Sequence, residues 1–407
     1  RSQHGCKRLE LQLPVMRLSS PERRCLAVAI WLLALVLLSS LRSCVRPLVE
    51  VQAFFNHYPF HECTWDLLHR SQKGSSRLTR LPAWMNRFDW LLDHFVVEFL
   101  RGPLGNTTFD IFKSLGRTPD HRRAKDVRTV FASPLRVSEL LTAARADFDG
   151  GRSDRVVVFG GSDVTLSKAF GRTDSERRQA VGELRRYFGT ILFEARDVDV
   201  DGVLTMPVGL VEQYFRAKGG LEGAVAAIAA ARTDASFKAR GVLAAMGATS
   251  STADICRDVE FVERFDVGTA SRAACESRTQ LQSWATSPAA EEAAVDFRSI
   301  DPASWYSELS TYRFVIAPLG TGIQSHKQLE ALLVLTVPIV QRGSFPVFDD
   351  LVKLGFPLVV IDDWAEITPS NLSRWWDELS PQLARFRHSC LTAEAYWGLV
   401  NGERHCR

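Results

Sequence analysis

The segment from Tyr312 to Trp364 holds the residues whose types and spacing are best suited to chemistry. An apolar strand ends at Pro318, the following loop carries Gly320 and Gly322, and a helix begins near His326. Glycines let a ligand approach the backbone, and the amides at a helix N-terminus bind anions. The pattern predicts a phosphate-binding loop; a tight turn that binds no ligand is the alternative.

Polar residues in the first turns of that helix extend the prediction. Ser325 and Gln328 have the spacing of a capping box, which defines the helix start. Lys327 occupies the second helical position, where a cation opposes the helix dipole unless an anion is bound. Glu330 lies one turn further, where a carboxylate can accept hydrogen bonds from ribose or sugar hydroxyls. With His326, these residues predict a nucleoside diphosphate site; the alternative is a set of solvated surface charges.

The elements that must position these residues belong to the α/β class. From about residue 126, short apolar strands alternate with helical stretches, which is typical of parallel sheets buried on both faces. Two Rossmann-like, doubly wound domains facing a cleft account for the pattern. The predicted strands are Arg155–Gly160, Ile191–Glu194, Val203–Pro207, Val242–Met246, Arg313–Ala317, Pro338–Val340 and Pro357–Ile361. The predicted helices include Asp174–Phe188, Leu221–Arg232 and His326–Val337.

The composition is that of a globular chain. Its 407 residues are 46% hydrophobic and 24% charged, which excludes a wholly disordered, collagen-like or coiled-coil protein. The net charge is +3, and residues 1–41 alone hold six Lys or Arg against two Glu. Because the remainder is close to neutral, nucleic acid is not an expected partner.

An apolar run precedes the α/β region. Residues 25–41, CLAVAIWLLALVLLSSL, carry no charge and reach about 25 Å as a helix, which suits a thin internal membrane. The basic residues before the run are Lys7, Arg8, Arg17, Arg23 and Arg24. They predict a single-pass type II protein of the Golgi or endoplasmic reticulum membrane, with its body in the lumen. A cleaved signal peptide is the alternative.

The predicted organisation has six parts. They are a cytosolic tail (1–24), a transmembrane signal-anchor (25–41), a stem and N-terminal subregion (42–125), a first Rossmann-like domain (126–235), a second Rossmann-like domain (236–380) and a C-terminal helix and tail (381–407). Within the N-terminal subregion, the aromatic patch Trp84–Leu100 has a helix-like pattern.

Cysteines and sequons agree with a lumenal body. Six of the eight cysteines follow the apolar run, so up to three disulfides can form in an oxidising compartment. N-glycosylation sequons begin at Asn106 and Asn371.

Two stretches of the chain are similar to a known family. The longer one contains Phe314-x-x-x-Pro318-x-Gly320-x-Gly322-Ile323-x-x-His326-Lys327-x-x-Glu330-Ala331, then Pro338-Ile339-Val340 and Asp362-Asp363-Trp364. The shorter one is Met206-Pro207-Val208-Gly209-Leu210. Both resemble the exostosin-like glycosyltransferases and the related lumenal ribitol xylosyltransferases. The resemblance covers roughly residues 130–380 and is strongest over about 310–366.

The resemblance implies a GT-B fold, with the nucleotide-sugar on the C-terminal domain and a glycan or glycoconjugate acceptor on the N-terminal domain. It implies a hexosyl- or pentosyltransferase that needs no cofactor and inverts the anomeric carbon, with a general base for the acceptor hydroxyl. By the same resemblance, the diphosphate faces Gly320, Gly322 and His326. Lys327 would neutralise the leaving group, and Glu330 would hold the ribose.

The chain departs from the family pattern at four positions. The relatives favour Asn at Thr321, an acidic residue at Gln324, Arg at Lys327 and an aromatic residue at Leu329. Lysine lacks the bidentate phosphate contact that arginine makes. A non-catalytic lumenal protein that keeps the fold and binds a glycan or a partner enzyme is therefore an alternative.

The general base is expected in a loop at the carboxyl end of a first-domain strand. Asp163 follows the strand-like RVVVFGGS and is the first candidate, ahead of Asp197, Asp199 and Asp201. Asp163 fits equally well as the N-cap of a following helix.

Asp199 and Asp201 support a different mechanism. An Asp-x-Asp triplet after a strand is how metal-dependent GT-A glycosyltransferases hold a divalent cation, such as manganese, against the donor diphosphate. A solvated acidic turn before Gly202 is the simpler interpretation. Loss of activity with a chelator would favour the metal-dependent mechanism.

Overall fold

The computed structural model describes residues 57–59, 87–92, 127–210, 215, 220–245, 256, 269–320 and 322–403. All of them belong to one compact unit, which covers residues 54–407. The predicted membrane span at 25–41 and the sequon at Asn106 lie outside the described residues. Within the part of the chain that is described, no helix is both long and apolar enough to cross a membrane.

The described residues form two sheets, and the first has five parallel strands in sequence order. The strands are β1 (Trp90–Leu92), β2 (Thr129–Ala132), β3 (Val156–Phe159), β4 (Thr190–Phe193) and β5 (Val203–Thr205). In register, Val157 of β3 lies between Val130 and Ile191 of its neighbours. Every residue of β2 and β3 is buried, because continuous apolar strands in a parallel sheet are covered on both faces.

Between β2 and β4, where the connections are described, the α-helices are α1 (Val137–Asp147), α2 (Leu166–Phe170) and α3 (Asp174–Leu184). Because neighbouring strands are consecutive in the chain and such crossovers are right-handed, the helices lie on one face. They enclose an aromatic core, in which the ring of Phe170 lies 5.4 Å from the rings of both Phe159 and Phe193.

The second sheet has a reversal in its strand order. Its strands are β6 (Arg240–Ala244), β7 (Val295–Phe297), β8 (Tyr312–Ile316), β9 (Val337–Gln341) and β10 (Val359–Ile361), all parallel in the order β7-β6-β8-β9-β10. The chain leaves β6 for one side and returns on the other at β8. Doubly wound sheets bind ligands at such a switch point, beyond the carboxyl ends of the strands. The described strands of the first sheet have no reversal, so only the second sheet is doubly wound within them.

The later helices are α4 (Gly220–Ala230), α5 (Thr269–Ala285), α6 (Pro288–Glu292), α7 (Trp305–Leu309), α8 (His326–Leu333), α9 (Pro346–Lys353), α10 (Pro369–Ser389) and α11 (Ala393–Val400). Helix α8 is buried from Gln328 to Leu333 because it contacts both β9 and α10. Helix α4, which the predicted boundary at 235 places in the first domain, packs against α7.

The α/β class and the parallel sheets are confirmed. All seven predicted strands are present within two residues of their predicted ends, and the three predicted helices begin within one residue of their predicted starts. Strands β1, β2 and β7 were not predicted. The helix-like interpretation of Trp84–Leu100 is wrong at β1, where Trp90 and Leu92 alternate into the first core and pair with β2. The first sheet therefore extends into the region predicted as stem.

The C-terminal segment returns to the first sheet. Helix α10 begins well before Pro381, where the sequence predicted a C-terminal helix, and contains that proline in its interior. From α11, the Tyr396 hydroxyl donates to the Val208 carbonyl at 3.0 Å. The Trp397 ring lies 5.4 Å from the ring of Phe88, which precedes β1. Both contacts hold α11 against residues next to β1 and β5 of the first sheet.

Candidate functional site

The loop after β8 lies against the carboxyl edge of the first sheet through Gln324. The Gln324 Nε2 donates to the carbonyl oxygens of Glu194 at 2.5 Å and Met206 at 2.9 Å. Its Oε1 accepts from the Val208 amide at 2.9 Å. These partners follow β4 and β5, so the carboxyl ends of the two sheets meet at this loop. That edge is where α/β proteins bind ligands.

Asp163 and Gly322 meet at the same edge. Asp163 is exposed in the loop after β3, and a Cβ placed on Gly322 would lie 2.5 Å from Asp163 Oδ1. The carboxylate therefore occupies space that any side chain at 322 would need. Thr165, not Asp163, is the N-cap of α2, so the interpretation of Asp163 as a helix cap is wrong. The predicted base and the predicted donor loop come together from opposite sheets.

Helix α8 begins where the sequence predicts, with Ser325 as its N-cap. The Ser325 hydroxyl accepts from the Lys327 amide at 3.2 Å, whereas the Gln328 amide donates to the Ser325 carbonyl. A capping box requires the hydroxyl to bind the third helical amide. The predicted box is therefore replaced by a simple cap.

His326 links α8 to the segment that follows β5 of the first sheet. Its Nδ1 lies 2.7 Å from the Gly209 carbonyl oxygen, and its side chain is partly exposed. A carbonyl only accepts hydrogen bonds, so Nδ1 carries the proton. Burial lowers the pKa of His326, against the opposing effects of the Gly209 carbonyl and of the carboxylates of Glu330, Glu194 and Asp163. The ring is therefore neutral at pH 7, with a lone pair on Nε2.

Lys327 extends from α8 to the end of β6. Its Nζ donates to the Ala245 carbonyl at 2.6 Å and lies 5.5 Å from the centre of the Trp305 ring. Since β6 and β8 flank the reversal in strand order, Lys327 spans the switch point of the second sheet. An anion bound at the glycine loop would compete with Ala245 for this ammonium group.

Glu330 is buried, with 1% of its surface exposed. Its Oε2 accepts from the Trp305 indole Nε1 at 3.0 Å. Burial, followed by the charge of Glu330, raises the pKa of the neighbouring Tyr306, whose phenol therefore stays protonated. In this structure the Trp305 indole occupies the hydrogen-bonding position on Glu330 that the prediction gave to a ribose hydroxyl. A sugar hydroxyl reaches the carboxylate only when the indole moves.

Arg278 is a candidate that sequence reasoning missed. It lies in α5 with 6% of its surface exposed, and its Nε donates to the Leu319 carbonyl at 2.8 Å. Burial lowers the pKa of its guanidinium, which is nevertheless charged at neutral pH. The two residues are 41 positions apart, so no local pattern indicated the contact. A guanidinium held at the glycine loop is well suited to binding a phosphate.

Glu194 is a second missed residue. It is 5% exposed at the end of β4, and its Oε2 accepts from the Gly161 amide at 2.9 Å. A Cβ on Gly160 would lie 2.4 Å from its carboxyl carbon. The adjacent glycines after β3 make room for this carboxylate and were the available signal in the sequence.

The other acidic candidates have structural partners. Asp197 accepts from the amide of Ser167 at 2.9 Å and from its hydroxyl, so it binds the first turn of α2. Asp199 pairs with Arg196, which also pairs with Asp350 of α9. These contacts hold both carboxylates against partners outside the glycine loop.

Asp201 is exposed in a turn completed by Gly202, whose φ of +85° favours glycine. Within the described ranges, no three or more His, Cys, Asp or Glu side chains are grouped to hold a metal ion. The manganese alternative on Asp199 and Asp201 stays a prediction for the chelator experiment.

The modification sites are only partly described. Asn371 lies in the first turn of α10, where its Nδ2 donates to the Glu366 carbonyl at 2.8 Å, and its glycosylation stays a prediction. Cys256 and Cys275 form a disulfide across 19 positions, a pairing that the sequence left open.

Comparison of the sequence with known proteins gave no match of either kind described next. No protein family model matches this chain, and no curated protein is similar enough to it to count as a match.

Proposed function

We propose that this chain is an exostosin-like GT-B glycosyltransferase that transfers a sugar from a nucleoside diphosphate to a glycan or glycoconjugate acceptor. The observation that carries the proposal is the close approach of Gly322, from the loop after β8, to Asp163, from the loop after β3. The donor loop belongs to one parallel sheet and the carboxylate to the other. A GT-B enzyme holds donor and acceptor on separate domains, so its reacting groups must converge in this way between them.

Two cations support a diphosphate donor. Lys327 reaches the switch point of the second sheet, and Arg278 is held at the glycine loop by its bond to Leu319. Positive groups at the leaving diphosphate stabilise the charge that develops as the glycosidic bond breaks. Arg278 can supply the bidentate contact that lysine at position 327 lacks. We therefore assign it to the donor site together with Gly320 and Gly322.

We propose that the body lies in the lumen of the Golgi or endoplasmic reticulum, held by the apolar run at 25–41. The Cys256–Cys275 disulfide supports an oxidising compartment, since cytosolic proteins rarely keep such bonds.

The second candidate function is a non-catalytic lumenal protein that binds a glycan or a partner enzyme. The observation that favours it is the burial of Glu330 beneath Trp305, which closes the predicted ribose position. Donor binding distinguishes the two, because only the enzyme requires it.

The test is the thermal stability of the purified full chain with a panel of UDP- and GDP-sugars, with and without manganese. A donor at a hundred times its dissociation constant should stabilise the folded chain by about 2.7 kcal/mol, which is a measurable rise in Tm. A rise that needs no metal supports the proposed donor site. A rise only with manganese favours Asp199 and Asp201, and no rise with any donor favours the non-catalytic protein.

The Arg278→Lys variant should bind the donor about ten to a hundred times more weakly than the wild type. The substitution keeps the charge but removes the planar fork, and a charge-assisted hydrogen bond contributes about 1.5–3 kcal/mol. Titration calorimetry with the donor identified above measures the effect. Arg374→Lys is the control, because Arg374 is an exposed residue of α10. Equal affinity of wild type and Arg278→Lys would remove Arg278 from the donor site.

A further inference from the structure

We infer that His326, and not Asp163, is the catalytic base that takes the proton from the acceptor hydroxyl. The inference rests on the proposed function, which it deepens by naming the group that activates the acceptor. The sequence placed His326 against the diphosphate, because it begins the helix after the glycine loop.

The position of the ring supports this role. His326 belongs to α8, next to the second sheet, where we place the donor. Its Nδ1 nevertheless donates to Gly209, which follows β5 of the first sheet, where we place the acceptor. With the donor bound at the second sheet and the acceptor at the first, as proposed above, the imidazole lies between them. The residue as a whole is partly exposed, which leaves part of its surface open to a substrate.

The hydrogen bond to Gly209 sets the tautomer. With the proton on Nδ1, the lone pair is on Nε2, and the ring is held in one orientation by a backbone group. A base needs both features, a lone pair at a defined atom and a fixed direction for it.

The charges around the ring favour the product of proton transfer. Burial keeps the imidazole neutral before the reaction, while Glu330 on its own helix, Glu194 after β4 and Asp163 after β3 all favour the protonated ring. An imidazolium that forms during the reaction is thus stabilised by three carboxylates. Asp163 acts in this scheme as a positioning residue whose negative charge supports the base.

The proposed sugar transfer is a direct displacement at the anomeric carbon. The acceptor O–H bond breaks and its proton passes to His326 Nε2, while the oxygen forms a bond to the anomeric carbon. The bond from that carbon to the diphosphate oxygen breaks on the opposite side, and the nucleoside diphosphate leaves with the electron pair. The imidazolium then returns its proton to water.

The experiment compares His326→Asn, Asp163→Asn and a control, His388→Asn, on an exposed histidine of α10. Asparagine keeps an N–H donor at the position of Nδ1 and lacks a base at the position of Nε2. The probe is the stabilising nucleotide-sugar itself, with water as acceptor and release of nucleoside diphosphate as the signal. The donor-induced rise in Tm is measured on the same samples.

We expect His326→Asn to keep the rise in Tm and to lose about 10²- to 10⁴-fold in kcat/KM, the usual contribution of a general base. Turnover by the wild type should fall with decreasing pH, with a midpoint below the ordinary histidine value of 6.5, because burial lowers the pKa of His326. This fall in turnover at low pH should be absent from His326→Asn. Asp163→Asn should lose about tenfold or less in kcat/KM and keep the fall at low pH. His388→Asn should match the wild type in both measurements.

Three results would overturn the assignment. His326→Asn could retain turnover within tenfold of the wild type, or Asp163→Asn could lose more than His326→Asn, which would return the role to Asp163. A wild-type chain that binds donor but releases no nucleoside diphosphate also contradicts it. Absence of donor binding refutes the proposed function itself, and the two failures are therefore distinguishable by the rise in Tm.

Discussion

Gln324→Glu is expected to lower the free energy of unfolding by about 3 kcal/mol at pH 8. In the wild type the Gln324 Nε2 donates to the carbonyl oxygens of Glu194 and Met206, and only the Oε1 accepts. An ionised carboxylate would place an acceptor against two acceptors in a buried site, and an uncompensated buried charge costs a few kcal/mol. Urea denaturation measures the loss.

The pH dependence of that loss tests the mechanism. Burial beside carbonyl oxygens should raise the pKa of the introduced carboxyl above its unfolded value, so the penalty is present above the unfolded pKa and shrinks as pH falls. The variant should therefore recover part of its stability at pH 5. Gln179→Glu, on the exposed face of α3, should change stability by less than about 0.5 kcal/mol. A Gln324→Glu protein as stable as the wild type at pH 8 would show that this amide does not hold the two edges together.

Lys238→Met should abolish a pH-dependent gain in stability that the wild type shows between pH 7 and pH 9. Lys238 has no exposed surface, and its Nζ donates to the Val334 carbonyl at 2.9 Å and to the Thr336 hydroxyl at 2.8 Å. Burial, followed by the charge of Arg387, lowers its pKa from 10.5 to about 6. Between those values the unfolded chain binds one proton more than the folded chain.

The direction in which stability changes with pH follows from this difference in bound protons. Stability rises with pH in that window by up to about 1.4 kcal/mol per pH unit, and it is lost as pH falls from the unfolded pKa towards the folded one. From pH 7 to pH 9, the wild type should gain up to about 2.7 kcal/mol relative to Lys238→Met. Urea midpoints across this range measure the gain, with the exposed Lys353→Met as control. Parallel pH profiles for wild type and Lys238→Met would mean that Lys238 is charged in the folded chain.

Local patterns were sufficient for seven of the ten described strands and for the start of α8. Runs such as VVVF at β3 are apolar throughout, because both faces of a parallel sheet are covered, and such runs are recognisable without knowledge of their neighbours. Ser325 ends the loop and caps the helix through a contact within three residues. The short strand at Trp90–Leu92 was misassigned because only pairing with β2 distinguishes it from an aromatic helix.

Some residues of the candidate site could be predicted from the sequence and others could not. Gly320, Gly322, His326 and Lys327 lie on one loop and one helix, so their spacing along the chain already indicated a common site. Arg278 carried no such signal, because it contacts the loop from a distant helix. For Glu194, which contacts Gln324, the available signal was the pair of glycines after β3.

From its own residue pattern, this chain specifies an α/β protein with parallel sheets and a glycine loop before a capped helix, because these features depend on neighbours within a few residues. Two features depended on the packing of the two sheets, the approach of Asp163 to Gly322 and the bond from His326 to Gly209. A third, the closure of Glu330 by Trp305, depended on the contact between α7 and α8. Each joins residues from different elements. Their distances follow from strand order and burial, which are properties of the assembled fold.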